Sequence, residues 1–155
     1  MDIQTYAAEK PALDLKQYFN GTLKGHGMFQ GRSGEVKRRF TVTIVCTVVG
    51  DTITLDEDFV WSDGEKSKRV WTLKKQPDNT WLGTAADVVG AARGEVAGNA
   101  LHWAYVLALP VDGTVYNVNF EDWMYLIDEK TMLNRAVMSK FGFKLGEVLI
   151  SFTKQ

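Results

Sequence analysis

From Thr22 to Thr153 the chain alternates apolar and polar residues with a period of two, and the runs are separated by short turn clusters. Val36, Arg38, Phe40, Val42, Ile44, Cys46 and Val48 line one face of a long strand, which Gly50-Asp51 closes into a hairpin. Thr52 to Trp61 and Lys66 to Lys75 flank the turn Ser62-Asp63-Gly64-Glu65. Pro77-Asp78-Asn79 leads into Trp81 to Val89, and Gly90 to Gly98 reads as a short strand or bulged corner. Leu101 to Leu109, Val115 to Ile127, Met132 to Lys140 and Phe143 to Thr153 follow, joined at Pro110 to Gly113, Asp128 to Lys130 and Gly142. Before this region only Leu13 to Phe19 reads as a short helix, with Pro11 to start it and Gly21 to end it.

About nine or ten strands at short regular spacing predict an all-β, antiparallel meander closing into a barrel. An open sheet of so many strands would leave two edges free to pair with another chain, and closure removes them. The expected organisation is an N-terminal tail over residues 1-10 and one barrel domain over residues 11-155. A length of 155 residues suits a single domain with a substantial core.

The faces then carry the chemistry. Ile53, Leu55, Glu57, Phe59 and Trp61 share one face, and Arg69, Trp71 and Leu73 share the next. Asp87 falls with Trp81, Ala85 and Val89, and Trp103 and Tyr105 fall with Leu101, Leu107 and Leu109. In the segment FEDWMY, Trp123 and Tyr125 share a face with Glu121, Asn119 and Asn117. If these faces point inward, Glu57, Arg69 and Asp87 are charges in an aromatic interior, where an unpaired charge costs several kcal/mol. They either pair with one another and fix strand register, or hold the polar group of a ligand. The five tryptophans are residues more often found as core and barrel-end plugs than as ligand contacts. The candidate ligand-binding set is Glu57, Arg69, Trp71, Asp87, Trp103, Tyr105, Trp123, Asn134 and Arg135.

Charge narrows the function classes. With 18 basic and 19 acidic side chains there is no electrostatic footprint for nucleic acid. Cys46 stands alone, which excludes an internal disulfide and a cysteine-rich metal site. There are two histidines, no G-x-S-x-G turn and no H-E-x-x-H helix, so neither a catalytic constellation nor a cofactor is expected. Neighbouring acids such as Glu57 and Asp58 point to opposite faces of a strand. No run approaches the roughly 20 apolar residues of a membrane-spanning helix.

The segments LDLKQYFNG, FVWSDGE, GTAADVVG, GNALHW, LPVDGT, FEDWMY, NRA and KFG occur in this order across nearly the whole chain. Together they resemble the bacterial family known as domain of unknown function 3833. The chain departs from that pattern at His26, where the family has tryptophan, and at Gly31, where it has an acidic residue. The resemblance implies a calycin or lipocalin-like barrel made as a lipoprotein, held at a membrane by an N-terminal lipid anchor that this chain lacks. It also implies a bacterial envelope location if a signal has been removed, or a cytoplasmic one if Met1 is the native start. An association of the family's genes with fatty-acid-modifying enzymes implies an apolar or lipid-like ligand. Two readings stand together: a non-enzymatic barrel binding a fatty acyl or similar amphiphile, and a filled structural or interaction protein acting through its surface.

Overall fold

Ten antiparallel strands close on themselves in the structure, a computed structural model that describes residues 1–155. They are β1 (Gly21–Gly31), β2 (Val36–Val49), β3 (Thr52–Trp61), β4 (Lys66–Lys75), β5 (Trp81–Thr84), β6 (Val88–Ala97), β7 (Ala100–Val111), β8 (Thr114–Leu126), β9 (Thr131–Lys140) and β10 (Phe143–Lys154). Each pairs with its neighbour in sequence, and β1 meets β10 from Leu23↔Lys154 to Gly31↔Gly146. No edge strand is left, as the period-two pattern implied.

The expected helix is present but shorter, Leu15–Tyr18 (α1). Asp14 starts it rather than Pro11, its carboxylate accepting from the backbone N–H groups of Lys16 and Gln17. Leu13, Leu15, Tyr18 and Phe19 are buried in the same cluster as Ile44, Ile53, Leu126, Met132 and Phe152. The Tyr18 hydroxyl donates to the Lys130 carbonyl at 3.0 Å. Since Lys130 precedes β9, α1 plugs the end of the barrel where β1 begins and β10 finishes. At the opposite end the inward rings Phe59, Trp61 and Phe120 are only partly buried.

Residues 1–10, read as a tail, lie on the outer wall. Ile3–Tyr6 forms a single 3-10 turn capped by Asp2, and Ile3 is buried. Gly98 admits this segment: its φ is +55°, and a Cβ there would stand 1.7 Å from the Tyr6 carbonyl oxygen.

A second departure lies between β5 and β6. The segment expected as one strand from Trp81 to Val89 folds back at Ala85–Asp87, and the β6–β7 register shifts between Val89 and Arg93. The turn exposes Val89 and puts Val88 inward, so Val89 does not share an interior face with Trp81. The glycine-rich stretch is therefore a full bulged strand. Gly94 is needed where it stands, because a Cβ would meet the Trp103 ring at 2.4 Å.

Candidate functional site

Alternation puts Glu57, Arg69, Trp71, Trp103, Tyr105 and Asn134 on the inner wall, as expected, and adds Asp122 and Phe120. Trp71 and Trp103 stack at 6.1 Å between centroids, Tyr105 meets Trp71 edge-on at 5.2 Å, and Phe120 lies parallel to Tyr105 at 5.3 Å. Phe40, Phe59 and Trp61 form a further ring cluster towards the open end. The wall is thus aromatic on β2, β3, β4, β7 and β8, with carboxyl groups set into it.

Arg69 is directly opposite Glu57 in the β3–β4 register, yet its hydrogen bonds go elsewhere. Its Nε donates to both Asp87 oxygens at 3.1 Å, and its Nη2 donates to Oδ2 at 2.8 Å. Asp87 stands in the turn between β5 and β6, which swings its carboxylate across to β4. Its pairing with Arg69 therefore follows from that turn and not from its place in one long strand. The guanidinium's Nε–Nη2 edge is occupied.

The two remaining inner acids are left short of partners. Asp122 Oδ2 accepts from the Tyr105 hydroxyl at 3.1 Å, while Oδ1 is buried with no partner. Glu57 is 9% exposed and accepts no hydrogen bond. Burial pushes the Glu57 carboxyl up to about 8, against the pull of Arg69 and with the help of Asp122. Burial likewise pushes Asp122 up to about 7, opposed by the Tyr105 hydrogen bond and by Arg69. It also raises the Tyr105 hydroxyl well above its ordinary value.

Three expected ligand contacts take other roles. Trp123 points outward, where it is 7% exposed because Ile3, Tyr6 and His102 cover it. Arg135 is also on the outer wall, its Nη2 bonded to Glu147 Oε1 at 2.6 Å. There it borders a shallow depression of about 540 Å³ that includes His26, Met28 and Leu149. Neither residue can serve as an interior contact or counter-ion. Asn134 faces inward, but its Nδ2 donates to the Trp123 carbonyl at 3.1 Å, which commits one of the amide's two donors within the wall.

Asp122 and Phe120 escaped the sequence reading because both faces of β8 carry rings and acids. The signal was the continuation of their face to Val118, Met124 and Leu126, which is apolar at every other position.

Replacing Arg69 by Ala removes the only cation among Glu57, Asp87 and Asp122. Water reaches Asp87, whose side chain is 39% exposed, so the expected loss at neutral pH is moderate, about 2 kcal/mol. Urea denaturation of Arg69→Ala checks this, and an unchanged midpoint would refute a stabilising pair.

A closed ten-stranded meander with a helical plug and polar groups in an aromatic interior is a lipocalin-like barrel. The chain belongs to the family described as protein of unknown function (DUF3833), which matches residues 1–154. Among solved structures it is similar to the S-type phycobiliprotein lyase CPES from Guillardia theta. That likeness has a TM-score of 0.63 and 10% identity, and covers 92% of this chain and 93% of the lyase. It is also similar to a de novo designed fluorescence-activating beta barrel, with a TM-score of 0.51, 14% identity, and coverage of 92% of this chain and 99% of the design. At these identities the likeness establishes the fold. No curated protein matches the chain.

Proposed function

We propose that this protein binds a small amphiphilic molecule inside the unplugged half of its barrel. The observation that carries the reading is the buried Asp122 Oδ1, which has no partner, together with the buried Glu57 carboxyl, in an aromatic wall. Holding them there costs stability, and an apolar side chain of similar volume would close the barrel more cheaply. A ligand that supplies the missing partners gives that cost a purpose. The rings of Trp71, Tyr105 and Phe120 would take its apolar body. The reading gains from the similarity to a lyase and a design whose names refer to a phycobiliprotein and to fluorescence activation. A lipid-like body and an envelope location enter it through the family resemblance.

Titration with dodecanol, dodecylamine and laurate, kept below their aggregation concentrations, tests it. At least one is expected to change tryptophan emission through Trp71 and Trp103 and to raise the melting temperature. If none does either, interior binding is wrong. The surface reading then takes its place, favoured by the exposed Val115, Phe141 and Phe143 at the hairpin tips of the open end.

A further inference from the structure

The arrangement of charges inside the barrel says something about the ligand's polar end, and this rests on the interior-binding reading above. We propose that Glu57 and Asp122 receive a nitrogen-bearing head group that donates N–H hydrogen bonds and carries positive charge, such as a protonated amine. Three carboxyl groups face a single guanidinium here, and that guanidinium already gives its Nε–Nη2 edge to Asp87. An anionic head would meet Glu57 and Asp122, and with Arg135 outside, the one guanidinium it could reach is Arg69, whose charge is already paired with Asp87. The vacant positions are acceptors: Asp122 Oδ1 and the Glu57 carboxyl. A cation placed between them restores the partners that burial removed. The ring faces around it add attraction of the same sign, since an aromatic face is the negative part of its quadrupole. Phe59 already receives the Arg69 guanidinium in this way, at 5.9 Å from the ring centre.

The chemistry of such binding is a proton exchange. Each carboxyl that is protonated in the free barrel gives up its proton as the ammonium arrives, so the charge added by the ligand is offset by protons released to solvent. The opposite arrangement is also chemically possible: a protonated carboxyl could donate to an anionic head. The two arrangements differ in ligand ranking and in the direction of proton flow.

Dodecylamine, dodecanol and laurate share one tail and differ in the head, so their affinities separate the head group from the body. Near neutral pH dodecylamine is expected to bind about tenfold or more tighter than laurate, with dodecanol between them. Calorimetry in two buffers of different ionisation enthalpy should show protons released with the amine. The double variant Glu57→Gln with Asp122→Asn should bring the affinities for amine and alcohol within about threefold of each other. Laurate binding as tightly as the amine overturns the head-group assignment, and so does an amine preference that survives in the double variant. Dodecanol binding alone would overturn it while leaving interior binding intact, and silence from all three would overturn both.

Discussion

Raising the pH from about 5 to about 8.5 should lower the stability of the free protein, because two buried acids hold protons that the unfolded chain releases. Glu57 titrates at about 8 in the folded barrel and at the ordinary 4.5 when unfolded, and Asp122 at about 7 against 3.8. Between each pair of values the folded state holds more protons than the unfolded state, so stability falls as pH rises through that window. Each pH unit of such a window is worth at most about 1.4 kcal/mol, and the expected total is a few kcal/mol. On the acid side the sign reverses. Glu147, held down to about 2 by Arg135 and Lys144, and the lowered Asp63, Asp78 and Asp128 lose their partners as pH drops below about 4. The melting temperature should therefore peak near pH 5. The double variant Glu57→Gln with Asp122→Asn should melt higher than the parent at alkaline pH and show a nearly flat profile there. A parent profile that rises towards pH 8 would remove the buried acids from the account.

Trp103→Ala should cost about 3–5 kcal/mol, the range for deleting a large buried aromatic. Its ring is 4% exposed, stacks on Trp71 and fills the space left by Gly83 and Gly94. Trp123→Ala should cost less, about 1–2 kcal/mol, because it loosens only the outer cover made by Ile3 and Tyr6. The pair is informative together: Trp123→Ala should retain the ligand response of the parent. Urea denaturation gives the ranking and the dodecyl titration gives the second readout. Equal costs, or a response lost with Trp123, would place Trp123 back among the interior contacts.

These two tryptophans show where sequence reading succeeds and where it stops. Strand number and closure were legible because hairpin turns such as Ser62–Glu65 separate unbroken period-two runs. The face of β7 was legible because only the set with Leu101 and Trp103 is apolar throughout. On β8 alternation is ambiguous, and the structure decides through a contact more than one hundred residues distant, between Tyr6 and Tyr125. A local pattern holds no information on such a cover. Arg69 teaches the same lesson within the site. The hairpin placed Glu57 opposite it as expected, but the unanticipated turn at Ala85–Asp87 delivered a carboxylate with better geometry. The burden of lacking a partner then fell on Glu57, which is why the acids available to a ligand are Glu57 and Asp122.

The seam between β1 and β10 has a consequence in time as well as in space. Its residue pairs join the beginning of the sheet to the end of the chain, from Leu23↔Lys154 onward, so the barrel cannot shut until the last strand has been synthesised. Such long-range pairing is reached slowly, since the loop entropy must be overcome before the contacts repay it. Until then β1 and β9 present bare edges, and the nascent protein passes through a stage in which joining a second copy competes with completing itself.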